Sequence, residues 1–415
     1  MIAAVHPNSK NGPNRRRPFD RWFRYPAGFS TETLESCFQA AGVRSGDLLV
    51  DPFAGVATTA TSAITHGVRF RGIEVHPLIA EVASLKLTRP ISQLNLRDIA
   101  EEIASSSRPG RLNGEASLVR RCFPDETLRT LVGFRQRIER SRSPWRRHLR
   151  MTLLGILRDF ATVKVGWPHQ RPAVPRKPIR SDVHRAFTER AREIADDLAQ
   201  LSGLEDASVH CADARCLPNW QHVLRKEKAS ACISSPPYLN NFDYADATRL
   251  ELYFFGYIQS WADMVRSVRF DMVRSATQQV TIPSADSSWA YLSNFPAIHR
   301  ELKALNSTLE LERHRRAGAK HYDRLLPCYF ADMLHVLSAA ARSINATGRL
   351  VWVVGDSAPY GIHVDTPKIL ALLGNAVGFK TSSIERIRIR GDRWSTNGSR
   401  HHVPLAESIL VLTKP

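Results

Sequence analysis

The sequence predicts an α/β fold in which a mostly parallel sheet is covered by helices. Segments typical of buried strands alternate with helical segments between residues 47 and 86, and this alternation is characteristic of parallel strands joined by crossover helices. The chain has 415 residues, of which 43% are hydrophobic, so it can bury one large core and carry further modules. Two strand segments close the chain, which favours an antiparallel edge strand on this sheet.

The first hundred residues predict a tail followed by the start of the sheet. Residues 1–22 are polar and include three consecutive arginines, so we expect a flexible basic tail. The first part of the core is expected at residues 23–100, beginning with a helix over Thr31–Ala41 that Ser30 or Thr31 caps. The elements predicted next are strand 47–51, helix 58–66, strand 70–74 and helix 77–86.

Residues 101–206 are predicted to form a basic, mostly helical insertion. Within residues 108–190 there are 20 Lys and Arg against 7 Asp and Glu, a net charge of +13 (20 − 7). The apolar spacing over 149–163 is helical, whereas the proline-rich segment 167–178 predicts a loop. The whole chain carries +18 with a pI near 10.1, so the insertion holds most of the excess charge. Such a charge favours a nucleic acid partner over charge that serves solubility alone.

The core is expected to resume after the insertion. Residues 207–260 contain strands 207–213 and 230–235, and residues 261–327 are expected to be a second helical insertion. The last part of the core covers residues 328–415. Its predicted elements are helix 328–343, strand 349–354, helix 366–376, strand 380–390 and strand 408–413.

Several classes of protein are disfavoured by composition. No apolar run approaches the roughly 18 residues that cross a bilayer, and the N-terminus lacks the apolar core of a signal peptide. The six cysteines form no CxxC pair, so we expect reduced thiols, no structural metal, and a cytoplasmic, nucleoid-associated protein. The pair His401-His402 has no ligand partners at useful spacing, and a solvated loop is the favoured interpretation.

A first candidate site lies where the predicted strand 47–51 meets the next helix. Gly55 lets a ligand approach the backbone there, and the helix N-terminus offers free N–H groups. Glu74 ends the next strand, 23 residues after Asp51 (74 − 51), and is placed to accept hydrogen bonds from ribose hydroxyls. Asp213 ends a third strand and could meet an adenine amine. The plainer alternative is that Gly55 only makes a turn and Glu74 only caps a helix.

A second candidate site is the tetrapeptide Ser235-Pro236-Pro237-Tyr238, which follows a buried strand. The two prolines end the strand, their carbonyls are expected to lack competing donors, and Tyr238 offers a flat face for stacking a base. Acceptors that hold an exocyclic amine free its lone pair for nucleophilic attack, and orientation should contribute most of the rate. A plain Pro-Pro turn is the alternative.

These motifs resemble those of S-adenosylmethionine-dependent amino-methyltransferases that modify DNA. The segment Asp51-Pro-Phe-Ala-Gly-x-x-Thr-Thr59 is similar to the family's first motif, although Ala57 stands where glycine is usual. The segment 24–29 resembles the family's contact with the methionine moiety, and 72–77 resembles its second motif. The resemblance assigns cofactor contacts to Tyr25, Pro26, Asp51, Phe53, Ala54, Gly55, Thr58, Thr59, Glu74 and Asp213.

The catalytic tetrapeptide resembles the family's fourth motif. Its serine form is associated chiefly with methylation of cytosine N4, and its Asp or Asn form chiefly with adenine N6. The following loop is similar to one that covers the pocket, which makes Asn240, Asp243 and Tyr244 candidate contacts of the target base.

The resemblance implies a Rossmann-like class I methyltransferase fold, S-adenosyl-L-methionine as cofactor, and double-stranded DNA with one base flipped out. Arg146 and Arg147 in the basic insertion are candidate contacts of the DNA backbone, and a cognate restriction enzyme is a candidate functional partner. Three alternatives stay open: adenine N6 methylation of DNA, an RNA base amino-methyltransferase, and a non-catalytic nucleic acid binder. A cytosine C5 mechanism through Pro327-Cys328 is disfavoured, because this pair is expected to open a helix without a strand before it.

Overall fold

The computed structural model describes residues 17–25, 30–90, 95–166, 170–200, 206–240, 242–316, 319–390 and 404–415. Most of the predicted basic tail, Pro26 and the pair His401-His402 lie outside the described residues.

The strands of the described residues form a seven-stranded sheet and a separate two-stranded ribbon. In chain order they are β1 (Leu48–Asp51), β2 (Arg69–Glu74), β3 (Val163–Lys164), β4 (Arg171–Pro175), β5 (Ala207–Cys211), β6 (Ala229–Ser234), β7 (Ile344–Gly355), β8 (Lys380–Arg390) and β9 (Leu405–Thr413). The large sheet has the order β5-β2-β1-β6-β7-β9-β8. Its first five strands pair in parallel, and β9 is antiparallel to both of its neighbours.

Helices connect these strands and build the insertions. They are α1 (Thr31–Ala41), α2 (Thr58–Thr65), α3 (Pro77–Lys86), α4 (Leu96–Ser106), α5 (Ser117–Cys122), α6 (Asp125–Arg140), α7 (Arg146–Leu157), α8 (Val183–Gln200), α9 (Leu217–Val223), α10 (Tyr244–Ala247), α11 (Arg249–Phe254), α12 (Trp261–Met264), α13 (Ile282–Leu292), α14 (Pro296–His314), α15 (Tyr322–Ser343) and α16 (Thr366–Ala376). None of the helices in the described part of the chain is both long and apolar enough to span a membrane.

The predicted α/β architecture is confirmed, and α1, α3, α16 and β8 have the predicted bounds. Local chemistry explains this accuracy at α1, where the Ser30 hydroxyl accepts from the Thr33 N–H and Gly42 ends the helix at φ +65°. Strand β8, in which Arg386, Arg388 and Arg390 alternate with Ile387 and Ile389, is the edge strand of the sheet. The C-terminal strand β9 lies one place inward, between β7 and β8.

Three expectations about elements are wrong in detail. Helix α15 begins at Tyr322, so Pro327-Cys328 lies inside a helix and does not open one. The helix expected over 149–163 begins at Arg146 and ends at Leu157. Part of the proline-rich loop forms β4, which pairs antiparallel with β3; an edge strand tolerates proline because its outward side needs no donor.

The sheet has one hydrophobic cluster on each face. Leu49 of β1 packs with α1 and α2, whereas Val50 packs with α15 and α16 on the other face, as strand alternation requires. A third cluster joins helices α4–α8 of the basic insertion to α3 and to residues 19–23. The insertion is therefore packed directly on the core beside the first predicted motif.

One buried carboxylate holds the segment before α1 against the insertion. Asp197 of α8 is fully buried and accepts from the Phe19 N–H at 2.7 Å, the Trp22 indole at 2.8 Å and Arg21 Nε at 3.1 Å. Charge-assisted hydrogen bonds of this kind are stronger than neutral ones. They position the segment that leads to Tyr25.

Candidate active site

The first site forms where β1 and β2 end side by side. After Asp51 the chain makes a tight turn into α2, with Gly55 at φ +52° and Ala57 at φ +66°. A Cβ on Gly55 would lie 3.6 Å from the Tyr25 ring, so Tyr25 packs directly over this turn. The positive φ at Ala57 explains why glycine is usual there, since a side chain disfavours the left-handed region.

Glu74 closes one side of this turn. Its two carboxylate oxygens accept from the Gly55 N–H at 2.9 Å and the His76 N–H at 2.8 Å. Burial raises the pKa of Glu74 to about 7, against the lowering effect of these two hydrogen bonds. A carboxylate has about four acceptor positions, so Glu74 retains capacity for two hydroxyl donors.

Asp51 links the first site to the second. It is 1% exposed and accepts from the Ser234 hydroxyl at 2.5 Å and from the Phe53 N–H at 3.0 Å. Burial raises the pKa of Asp51 to about 6, while hydrogen bonds from Ser234 and Thr59 lower it. Because Ser234 ends β6, the turn after β1 and the tetrapeptide that follows β6 are held in register.

The other predicted cofactor residues surround the same turn, except Pro26, which lies outside the described residues. Ala54 and Thr59 are buried, Phe53 is half-buried, and the Thr58 hydroxyl donates to Asp20 at 3.3 Å. Tyr25 is close enough to Glu74 for its charge to add to burial in raising the pKa of Tyr25 well above 10.

Asp213 lies after β5, at the same edge of the sheet, but its carboxylate is already engaged. Arg215 Nε lies 3.0 Å from both of its oxygens, and Arg215 Nη2 donates at 2.8 Å. Arg215 is held in turn by Asp332 at 3.3 Å. A ligand amine would share Asp213 with this guanidinium.

The tetrapeptide 235–238 directly follows β6. The Tyr329 hydroxyl donates to the Pro237 carbonyl at 2.9 Å, so the expectation that both proline carbonyls lack competing donors is wrong for Pro237. Among the described residues no hydrogen bond to the Pro236 carbonyl is found. The Ser235 hydroxyl lies 3.4 Å from the Tyr238 hydroxyl. Ser235 and the Pro236 carbonyl are thus the acceptors that this loop can offer to an amine.

Tyr238 has a partner that the motif does not reveal. Its hydroxyl donates to Glu407 at 2.8 Å, and Glu407, 5% exposed, also forms an ion pair with Arg388. Glu407 and Arg388 are cross-strand partners on β9 and β8. No pattern within the tetrapeptide points to a residue 169 positions away (407 − 238), and only the strand order brings the two together.

The loop after the tetrapeptide is fastened at both ends. Asn240, at φ +54°, donates its N–H to the Ser275 carbonyl at 2.9 Å. Asp243 caps α10 and pairs with the buried Arg269. The rings of Tyr244 and Tyr25 lie 6.4 Å apart, so the loop reaches the first site.

Arg146 and Arg147 lie elsewhere, exposed at the start of α7. They line a cavity of about 390 Å³ on the insertion, together with Arg150, Glu81, Glu139 and residues 255–257. Arg147 Nε lies 3.7 Å from Glu81. None of the residues that line this cavity belongs to the two motifs.

No metal centre is found within the described residues, where no three His, Cys, Asp or Glu side chains cluster suitably. The six cysteines are free thiols.

The strand order, with an antiparallel strand inserted before the last parallel one, defines the Rossmann-like class I methyltransferase fold. Both motifs lie at the carboxyl ends of its parallel strands, where ligands bind in open α/β sheets. The structure therefore has the fold of class I methyltransferases, with both candidate sites at the ligand-binding edge of its sheet.

Comparison with known proteins gives particular relatives within that class. The chain is 24% identical to the type II methyltransferase M.AvaI of Nostoc sp., over 97% of this chain and 88% of that protein. It is 23% identical to the type II methyltransferase M.BsoBI of Geobacillus stearothermophilus, over 97% of this chain and 87% of that protein. No protein-family model matches the chain.

Two solved structures are also similar in part. TrmN from Thermus thermophilus gives a TM-score of 0.33 at 11% identity, over 97% of this chain and 53% of that chain. The rRNA methyltransferase aviRa from Streptomyces viridochromogenes gives 0.31 at 11% identity, over 93% and 86%. At such values the fold assignment rests on the strand order itself.

Proposed function

We propose that this protein is a site-specific DNA methyltransferase that uses S-adenosyl-L-methionine to methylate the exocyclic amine of a flipped base, cytosine N4 in particular. The observation that carries the proposal is the 2.5 Å hydrogen bond between Ser234 and Asp51. It joins a turn suited to a nucleoside cofactor to a loop suited to an amine. Methyl donor and acceptor sites are then side by side.

The first site has the features that this cofactor requires. The Glu74 carboxylate has acceptor capacity left for ribose hydroxyls, and the Tyr25 ring packs over the turn beside Gly55, which has no side chain. The bound cofactor supplies a methyl group that its sulfonium makes electrophilic. Asp51, buried and hydrogen-bonded, holds the turn in shape for it.

The second site acts by orientation. The Ser235 hydroxyl and the Pro236 carbonyl accept the two amine hydrogens, which directs the nitrogen lone pair toward the methyl group. Tyr238 stacks on the base, with its hydroxyl anchored on Glu407. The amine must leave the duplex to reach these groups, so the enzyme flips its target.

Three observations support DNA as substrate and cytosine N4 as the target. The resemblance of the motifs is to DNA amino-methyltransferases, and the full-length relatives are type II methyltransferases. The type II designation further supports a restriction enzyme as functional partner. Ser235, rather than Asp or Asn, favours cytosine N4 over adenine N6.

The test is to express the wild-type protein and Tyr238→Ala in a host without endogenous N4 methylation and to digest genomic DNA to nucleosides. We expect N4-methylcytosine with the wild type only, and nearly unchanged cofactor binding by the purified variant. N6-methyladenine instead would refute the cytosine assignment. Transfer of labelled methyl to tRNA or rRNA but not to duplex DNA would refute DNA as substrate.

A further inference from the structure

An exposed apolar stripe runs along the segment after α11. Trp261, Val265 and Phe270 are 47%, 42% and 76% exposed. Trp261 begins α12, and Val265, four residues later, begins a π-helical turn at Val265–Arg269. Phe270 directly follows that turn, five residues after Val265. Because a π turn spans one residue more, Phe270 stays in line with the other two and Arg269 faces inward, 5% exposed.

The stripe is fastened to both parts of the candidate active site. Arg269 forms an ion pair with Asp243, in the loop that follows the catalytic tetrapeptide. Arg215, which holds Asp213 after β5, donates to the Phe270 carbonyl at 3.5 Å. The backbone that carries Phe270 therefore lies at the carboxyl ends of β5 and β6, on the rim of the site.

The chemistry of this surface fits nucleic acid better than an apolar protein partner. The guanidinium groups of Arg269 and Arg249 lie 4.5 Å and 5.4 Å from the centre of the Trp261 ring. The Arg266 side chain is 71% exposed beside the stripe. Exposed aromatic rings can stack on bases. Among these arginines Arg266, which pairs with Asp263, is exposed enough to approach a phosphate, whereas Arg269 is buried.

On the basis of the proposed function, we propose that this stripe contacts the DNA next to the target base and that Phe270 stacks in the gap left when that base is extruded. Extrusion removes the stacking partner of the neighbouring bases, and an apolar wedge on the protein replaces it. An exposed phenyl ring on a fastened backbone is suited to this role. Its loss makes the duplex harder to open.

The test compares full-length wild type, Phe270→Ala and Phe270→Trp with Leu311→Ala, which removes a similarly exposed apolar side chain (61%) from α14. Steady-state methylation is measured on a duplex that contains the modified site, and on the same duplex with a mismatch at the target. We expect Phe270→Ala to lower kcat/KM about tenfold, as loss of one stacked ring does. Phe270→Trp should retain activity, and the mismatch should reduce the Phe270→Ala defect, because a mispaired base costs less to extrude.

The outcomes separate this inference from the proposed function. A wild-type protein that transfers no methyl group to any DNA would overturn the proposed function itself. An active wild type with Phe270→Ala indistinguishable from Leu311→Ala would overturn the stacking role alone. Three other outcomes would also overturn the stacking role alone. These are a Phe270→Ala defect that is equal on matched and mismatched duplexes, a loss of cofactor affinity in Phe270→Ala, and a change in oligomeric state that accounts for the defect.

Discussion

The bond between Tyr238 and Glu407 makes the sharpest prediction. Tyr238→Phe removes only the hydroxyl that donates to Glu407 at 2.8 Å, and leaves the ring that we propose to stack on the base. Hydrogen bonds to charged groups contribute about 1.5–3 kcal/mol. Glu407 keeps Arg388 as a partner, so the buried carboxylate is not stranded and the low end of that range applies.

A loss of about 1.5 kcal/mol corresponds to roughly a tenfold change. We expect Tyr238→Phe to lower kcat/KM for methyl transfer about tenfold with an unchanged cofactor Kd, because the hydroxyl orients a ring outside the cofactor turn. Glu407→Gln should show a smaller loss, since the amide oxygen still accepts. Tyr291→Phe, on α13, is the control for removing a hydroxyl outside the site.

A double-mutant cycle of Tyr238→Phe and Glu407→Gln measures the coupling directly. The reasoning predicts that the double variant is little worse than Tyr238→Phe alone, because the bond is already absent. Fully additive effects would refute it. So would a tenfold loss of cofactor affinity in Tyr238→Phe, which would make the hydroxyl a part of the cofactor site.

Three further predictions concern the insertion and the turn between β1 and α2, where we propose that the cofactor binds. Replacing Arg146 and Arg147 with Ala should weaken DNA binding, measured by fluorescence titration. The slope of log K against log salt should fall by about 0.9 for each phosphate that is no longer neutralised. An unchanged slope would mean that these arginines do not contact phosphates. Ala57→Gly should change the free energy of unfolding in urea by less than about 1 kcal/mol. Glycine relieves about 1–2 kcal/mol of left-handed backbone strain in the folded state. It also costs about 0.5–1 kcal/mol through the greater entropy of the unfolded chain and about 0.8 kcal/mol through the buried methyl group that is lost. Cofactor binding should weaken as pH falls below 7, by up to about tenfold per pH unit, because the pKa of Glu74 is about 7 and its charged form is the better acceptor for ribose hydroxyls. The Glu74→Gln variant should bind the cofactor weakly at every pH, as measured by calorimetry. The same raised pKa means that the folded protein binds more protons than the unfolded chain between about pH 4.5 and 7, so the contribution of Glu74 to folding stability declines as pH rises through that window.

The sequence predicted the elements whose signals are local. Ser30 and Gly42 mark both ends of α1, and the apolar runs that end at Asp51, Glu74 and Ser234 mark strands of the parallel sheet. These local signals also located both motifs, because strand ends in a parallel sheet meet at one edge.

The parts that were missed depend on contacts between distant segments. Pro327 suggested a helix start, but it is the sixth residue of α15, where it leaves the Asp323 carbonyl without its usual donor; burial of the surrounding residues extends the helix back to Tyr322 despite this loss. Glu407 became part of the site only through the position of β9 beside β7. The Tyr329 hydroxyl on Pro237 likewise comes from a helix that packs under the loop, at a separation of 92 residues.

The hydrogen bonds that Asp197 accepts from Phe19, Arg21 and Trp22 have a consequence for biosynthesis. Phe19 and Asp197 are separated by 178 residues, so the hydrogen bonds to Asp197 that hold the segment leading to Tyr25 cannot form until the ribosome has released α8. The turn between β1 and α2 is thus synthesised first, and the hydrogen bonds that hold the segment before α1 follow only after almost half of the chain has been made. Contacts between residues so far apart in sequence slow folding, because the entropy of closing the long loop is lost before the contacts that stabilise it have formed. A nascent chain stopped before residue 197 therefore lacks the hydrogen bonds from Phe19, Arg21 and Trp22 to Asp197.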